Sequence, residues 1–275
     1  MITKAILETV GVLVLACWCA WAGVRVTRLK SKLWIVGFIV PFVVIFSIVL
    51  LNRIPVLVYH GYFAWIADGR NEFILRAICI PFLFGILVPR LQMKRQKISV
   101  SILAAVACLC SIFPPFIDPV LLYNEISKND VWIEDGVCLQ TTSYTCGAAS
   151  AVTALLQLGY EASEAELSLA SYTCRTLGAS APMLASGIRK LYADEGISCE
   201  MKAFDSVEEL KGLCPVLMIV KYRPLMDHYV AVLEVTEDAV IVGDPLSGRE
   251  QWTYQEFMDK WRGLGIIVSK NGEAL

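Results

Sequence analysis

The chain has 275 residues, 56% of them hydrophobic and 18% charged, with a mean hydropathy of +0.59. That balance excludes a disordered chain and a nucleic-acid-coating one, both of which need far more charge. The net charge of −2 hides an asymmetry, because residues 1–127 hold 12 Lys/Arg against 5 Asp/Glu, whereas residues 128–275 hold 12 against 21. A basic, apolar first half and an acidic second half of ordinary composition predict a membrane region followed by a soluble domain.

Crossing a hydrocarbon core takes about 20 apolar residues. Within residues 1–120 four stretches reach or approach that length, at 5–24, 33–51, 73–89 and 98–117. Leu33 to Leu51 is uncharged and contains Pro41, and Ile98 to Ile117 is uncharged and closed by Asp118 and Pro119. The first stretch carries Glu8 near its start, and the third carries Arg76 close enough to one end to snorkel. The sequence thus predicts a four-helix transmembrane N-terminal region in contact with membrane lipid. Ile54 to Ala67, a shorter run with Pro55 and Gly61 inside, suits an interfacial or re-entrant piece better. Glu8, His60, Asp68 and Arg76, the polar residues near membrane depth, read as helix-end or loop residues rather than a translocation path. No Gly-rich phosphate loop occurs in this half, and neither nucleotide nor nucleic acid is expected as a partner.

Short loops rich in Lys and Arg face the cytoplasm. Arg25, Arg28, Lys30 and Lys32 lie in one such loop and Arg90, Lys94, Arg95 and Lys97 in another, while the opposite side holds Lys4, Arg53 and Arg70. With four spans, everything after Pro119 falls on the extracytoplasmic side of the cytoplasmic membrane. Val14-Leu15-Ala16-Cys17 resembles a lipoprotein cleavage box, but the apolar run continues through Trp18, Trp21 and Val24, which favours a retained helix.

From about Val131 the pattern shortens. Gly147 to Leu158 is Ala/Leu-rich and stops at Gly159, as a helix with a C-terminal glycine does. Ser163 with Glu166, Ser206 with Glu209 and Thr253 with Glu256 match the capping box that opens a helix. Pro182 to Glu195 reads as a helix with proline in its first turn. Val216 to Tyr222, Tyr229 to Val235 and Ala239 to Val242 are β-branched runs, the last two joined through Thr236-Glu237-Asp238 as a hairpin. Helices first and an antiparallel sheet second give an α+β domain over residues 131–270.

Five of the ten cysteines (Cys17, Cys19, Cys79, Cys108 and Cys110) fall in the apolar stretches as small fillers. Cys138, Cys146, Cys174, Cys199 and Cys214 remain, an odd number for a domain outside the cytoplasm, so two bridges and one free thiol are one expectation. Cys138 with Cys174 and Cys199 with Cys214 are the favoured pairs, and four reduced core fillers the alternative.

Cys146 is the residue to leave free. It directly precedes a helix, whose unpaired N–H groups and dipole favour an anion, and Gly147 after it leaves room for a substrate backbone. His228, the one histidine of the second half, stands at the mouth of a strand, and Asp244 ends the strand paired with it. A nucleophilic thiol needs a base and a third group to orient that base, and these three residues supply the types. Gln140 can point its amide N–H to the same place as the Cys146 backbone N–H, which is what an oxyanion hole requires. Such chemistry calls for no cofactor and no metal.

Gln140-Thr-Thr-Ser-Tyr-Thr-Cys146-Gly147, then His228-Tyr-Val-Ala-Val, then Val242-Gly243-Asp244-Pro245-Leu-Ser-Gly248, resembles the double-glycine leader peptidases, the papain-like cysteine peptidases that process bacteriocins. Thr253 to Gly263, with Phe257 and Trp261, is similar to the helix after the Asp-Pro loop in that family. The resemblance covers roughly residues 131–268. It implies a papain-like α+β fold and hydrolysis of a peptide or protein substrate, after a small-residue or double-glycine motif, through a thioester. Cys146 would be the nucleophile, His228 the base, Asp244 its orienter and Gln140 part of the oxyanion hole. The best-known members place the peptidase before the spans of an ABC exporter on the cytoplasmic side; here it follows the apolar stretches. Two other activities fit the same residues: a non-catalytic peptide-binding domain, and a thiol acyltransferase or amidase.

Overall fold

The computed structural model describes residues 2–29, 32–51, 64–67, 70–128, 132–176, 178–223 and 226–270. The chain divides into two compact units, residues 1–121 and 122–275. Most of the proposed interfacial piece, with His60, Asp68, Lys30 and Arg53, lies outside the described residues.

The first unit is helical: α1 (Ile2–Thr27), α2 (Leu33–Leu51), α3 (Asn71–Arg90) and α4 (Lys94–Ile112). Three of its helices are long and apolar enough to cross a membrane, over Thr3–Thr27, Trp34–Leu51 and Asn71–Arg90. The fourth predicted span is not continuous. Pro114 and Pro115 have no N–H to give a helix, and α4 passes into a π-helical turn, Phe113–Ile117, with a 42° bend between Lys94–Cys110 and Pro114–Leu121. The count reaches four only when that bent pair is taken as one span.

Helices α1 and α3 touch through two glycines. A Cβ on Gly23 would meet the Phe82 carbonyl oxygen at 2.3 Å, and one on Gly85 would meet that of Ala20 at 2.3 Å, so only glycine permits this approach. Glu8 is not a solvated helix end. It forms an ion pair with Arg70, whose guanidinium also donates to the Pro115 carbonyl at 3.3 Å and lies 4.5 Å over the Phe116 ring. Arg76 pairs with Glu72 one turn away at 3.5 Å.

In the second unit β1 (Trp132–Glu134) and β2 (Val137–Leu139) form a hairpin ahead of α5 (Cys146–Gln157), α6 (Glu164–Ala170) and α7 (Ala181–Tyr192). A six-stranded antiparallel sheet follows in the order β3-β8-β4-β5-β6-β7, with β3 at Ile197–Ala203, β4 at Val216–Arg223, β5 at Met226–Val235, β6 at Ala239–Asp244, β7 at Gly248–Thr253 and β8 at Trp261–Lys270. Helix α8 (Tyr254–Lys260) joins the last two.

Strand side chains alternate between faces, and here both faces are covered. Leu217, Ala231, Leu233, Ile266 and Val268 pack with Val152, Leu155, Leu184 and Ile188 of α5 and α7. Their neighbours Val216, Met218, Val230, Val232 and Ile267 pack with Leu210, Trp252, Phe257 and Trp261 on the other side. Two-sided burial explains why β4 and β5 read as continuous apolar runs.

The helix at 147–158, the hairpin through Thr236 and the box at Thr253 are present, with Thr253 and Glu256 bonded reciprocally. Three expectations change. The Ser206–Glu209 box opens only a 3₁₀ turn, Val207–Leu210, and the helix from Pro182 is α-helical to Tyr192 and then 3₁₀. The helix expected through Gly263 ends at Lys260, and Trp261 begins β8.

The expected disulfides are also absent, since no cysteine of this unit is bridged among the described residues. Cys199 packs with the α5 and α7 core, whereas Cys214 packs with the opposite one, so the sheet stands between them. Cys138 is fully buried beside α5, and the Cys174 thiol turns to the Gly178 carbonyl at 3.4 Å. They are the reduced core fillers of the alternative reading. Burial pushes the Cys138 and Cys199 thiols up to about 12 and Cys214 to about 11.

Candidate active site

Cys146 is the first residue of α5 and is half-buried; its helix has no side-chain cap at Thr145, so the amide end opens towards the thiol. His228 is the third residue of β5, 5% exposed, and Asp244 is the last residue of β6. Antiparallel pairing of β5 with β6 returns the two to one end of the sheet, where His228 Nε2 lies 2.8 Å from Asp244 Oδ1. The thiol of Cys146 acts on the same imidazole and favours its protonated form. Nε2 is committed to the carboxylate, which leaves Nδ1 to face sulfur.

Burial alone would lower the His228 pKa. The hydrogen bonds and negative charge offered by Asp244 and Cys146 outweigh it and raise the value to about 9. Asp244 is itself fixed, because Oδ1 also accepts the Leu246 backbone N–H at 2.8 Å. The ring of Tyr222 packs on the His228 ring at 5.6 Å.

Four hydrogen bonds tie these elements into a closed ring. Ser150, one turn beyond Cys146, donates to the Tyr229 carbonyl at 3.0 Å and fastens the cysteine helix to the histidine strand. His228 and Asp244 join β5 to β6. The Gln140 N–H donates to the Pro245 carbonyl at 2.9 Å, and the Cys138 N–H donates to Thr153 Oγ1 at 2.9 Å, returning β2 to α5.

Gln140 therefore sits between the Asp-Pro turn and the cysteine loop. Its side-chain Nε2 donates to the Thr142 carbonyl at 2.7 Å, while Oε1 is buried without a partner among the described residues. The loop is held farther on by Tyr144, whose phenol donates to Glu125 at 2.5 Å, with Arg175 donating to the same carboxylate at 2.7 Å.

Gly147 does something other than clear a path for substrate. It is buried, and a Cβ there would meet Leu184 at 3.3 Å and Tyr229 at 3.4 Å, so it lets α5 settle onto α7 and β5. Ser150, Thr153, Tyr144 and Tyr222 are not singled out by the sequence pattern. A buried hydroxyl in an Ala-rich helix is the one signal that marks Ser150 and Thr153, since such a group needs a partner. Among the described residues no group of three or more His, Cys, Asp and Glu side chains is arranged to hold a metal ion.

Among solved structures, a double glycine motif protease from an AMS/PCAT transporter, crystallised in complex with the leader peptide, is similar at 18% identity. That likeness covers 53% of this chain and 96% of the other, with a TM-score of 0.43. The peptidase domain of Streptococcus ComA is similar at 22% identity over 48% of this chain and 96% of its own, also with a TM-score of 0.43. No curated protein matches the chain. The family model described as the peptidase C39 family matches residues 134–273, half of the chain and all three sequence segments that meet at His228. The chain belongs to the peptidase C39 family and is a cysteine-type peptidase.

Proposed function

We propose that the chain is a membrane-anchored peptidase in which Cys146, His228 and Asp244 form the catalytic triad and Gln140 completes the oxyanion hole. The observation that carries this reading is the position of the His228 ring, 2.8 Å from Asp244 through Nε2 and acted on by the Cys146 thiol, which favours its protonated form. With a pKa of about 9 the ring is imidazolium at neutral pH and stands ready to give its proton on the Cys146 side.

Sulfur attacks the scissile carbonyl carbon, and the oxygen that becomes negative is received by the Cys146 N–H and an amide N–H of Gln140. An amide nitrogen has two hydrogens. One is given to Thr142, and the second is the donor assigned to this task. As the tetrahedral adduct collapses, the C–N bond breaks and the leaving amine takes the proton from His228. The ring, now neutral, takes a proton from the water that attacks the thioester, and sulfur departs as the thiolate beside a restored imidazolium. Asp244 keeps Nδ1 aimed at sulfur throughout. The substrate is a peptide cut after a small-residue or double-glycine motif, in keeping with the family and with the open amide end at Cys146.

The first unit supplies the anchor, residues 1–120, through α1 to α4. Its basic loops at 25–32 and 90–97 are read as cytoplasmic, which puts the peptidase unit outside if the bent α4 crosses.

The full chain in detergent tests the chemistry with two probes. p-Nitrophenyl acetate acylates a competent thiol with a burst of nitrophenolate and builds an oxyanion; iodoacetamide alkylates the same sulfur without one. Cys146→Ala is expected to abolish the burst and the alkylation of this site, with the thermal transition retained. A burst that survives Cys146→Ala would sink the assignment.

A further inference from the structure

Glu164 opens α6 and, read from the sequence, is a first-turn acid beside a capping serine. In the structure its side chain is fully buried. Oε1 accepts the backbone N–H of Thr141 at 3.0 Å, and Oε2 is buried with no partner among the described residues. A carboxyl group withdrawn from water with one of its two oxygens unpartnered is costly. An apolar side chain of that size would commonly serve stability as well or better.

The one hydrogen bond that this side chain makes among the described residues therefore indicates its use. Thr141 follows Gln140. The Gln140 N–H is held by Pro245 at 2.9 Å and the Thr141 N–H by Glu164 at 3.0 Å, so two successive peptide groups are held by two different segments of the chain. The Gln140 side chain springs from between the clamps. Only one of its bonds, to Thr142 within the same loop, is made by the side chain itself.

We infer that Glu164 is a positioning residue for the oxyanion hole, fixing through Thr141 the backbone from which the Gln140 amide reaches the reacting carbonyl. The inference rests on the reading of Gln140 given above and adds to it a residue that touches neither substrate nor thiol. Preorganisation of this kind matters because a donor displaced by a fraction of an ångström loses most of its value in the transition state.

The two probes separate positioning from general damage, since alkylation of Cys146 needs no oxyanion hole. In the detergent-solubilised full chain, Glu164→Leu is expected to lower the saturating rate of acylation by p-nitrophenyl acetate by about tenfold or more, short of the roughly hundredfold expected for Gln140→Ala. The half-saturating concentration and the iodoacetamide rate should stay within about twofold of the parent. Glu164→Gln keeps an oxygen for Thr141 and should recover most of the rate. In a Gln140→Ala background Glu164→Leu should cost less than about twofold, because the amide it positions is gone. Glu164→Asp, which withdraws the acceptor by one methylene, reads the same way if the leucine variant does not fold. Parent-like acylation in both variants overturns the inference, as does an equal loss in alkylation or an undiminished loss in the Gln140→Ala background. Parent-like acylation in Gln140→Ala alone instead overturns the oxyanion reading beneath it.

Discussion

The backbone N–H of Gln140 donates to the carbonyl oxygen of Pro245 at 2.9 Å, the residue directly after the one that orients His228. The proposed oxyanion donor and the imidazole's partner are thereby parts of one turn-to-loop contact. Gln140→Ala leaves that backbone contact in place and removes only the amide. Its expected effect is a saturating acylation rate lowered roughly a hundredfold with half-saturation unchanged. A defect confined to half-saturation would remove Gln140 from the oxyanion hole.

The raised pKa of His228 sets a pH window. The folded value, about 9, lies above the ordinary histidine value of 6.5, so the stabilisation it reports is complete below about 6.5 and is lost as pH rises through about 9. In the proposed mechanism the same proton is given to the leaving amine, so turnover should also fall on an alkaline limb near pH 9. Asp244→Asn removes the charge that raises the value while burial still lowers it. The limb is then expected to move to lower pH, measured as the pH dependence of kcat/KM for a Gly-Gly peptide amide. An unmoved limb would mean that a group other than His228 titrates there.

Ser150 offers a test of the scaffold apart from the chemistry. Its buried hydroxyl donates to the Tyr229 carbonyl, next to His228. Ser150→Ala should cost about 1 kcal/mol of stability, the net worth of such a bond. Thermal or denaturant unfolding of the parent and variant measures it, and an unchanged midpoint would show that the α5 to β5 docking rests on apolar packing alone.

How far the residues declare themselves differs between site and scaffold. Cys146, His228 and Asp244 stand out because each is a reactive type at an element boundary, and boundaries are punctuated by Gly147, the strand start and Pro245. The local pattern joins β5 to β6 correctly, since their turn is short. It misses β3 and β8, whose partners lie far apart in sequence and whose register, Ile197 with Lys270 through Ala203 with Leu264, no local pattern encodes. The family resemblance carries the last helix past Lys260 through Trp261; the Phe257 and Trp261 rings do pack, 5.1 Å apart, but from a helix and a strand. Glu164 is hidden for a different reason. A glutamate after a serine cap reads as solvated, whereas its side chain is buried and accepts from Thr141, on the far side of α5 in the chain.

The thiols give a prediction that the fold constrains. Cys138, Cys199 and Cys214 are raised to about 11 to 12 by burial, and Cys199 and Cys214 lie on opposite faces of the sheet. Iodoacetamide on the folded chain near neutral pH should modify Cys146 well before these three, and mass spectrometry of denatured protein should find no bridge between Cys199 and Cys214. Finding that bridge would mean that the sheet is not assembled as described.

Sidedness turns on α4. Its first residues, Lys94, Arg95 and Lys97, belong to the basic loop, and beyond them Ile98, Ile102, Leu103, Val106 and Leu109 are each at least half exposed, an apolar surface suited to lipid rather than water. Helix and π-helical turn together run from Lys94 to Ile117, and the uncharged part from Ile98 onwards is as long as a crossing requires. The bend at Pro114 and Pro115 is compatible with a crossing, because proline kinks are tolerated where neighbouring groups take up freed carbonyls; in this turn the Pro115 carbonyl, four residues before Pro119 and its missing N–H, accepts from Arg70. A crossing α4 carries the peptidase unit to the face opposite the loops at 25–32 and 90–97. A membrane-impermeant maleimide applied to intact cells should then label Cys146, with Cys146→Ala as the unlabelled control, and a reporter fused after Leu275 should be active only outside. Labelling that requires permeabilised cells would mean that the chain crosses three times, that α4 lies along the cytoplasmic face by its lysines, and that the peptidase meets its substrate before export.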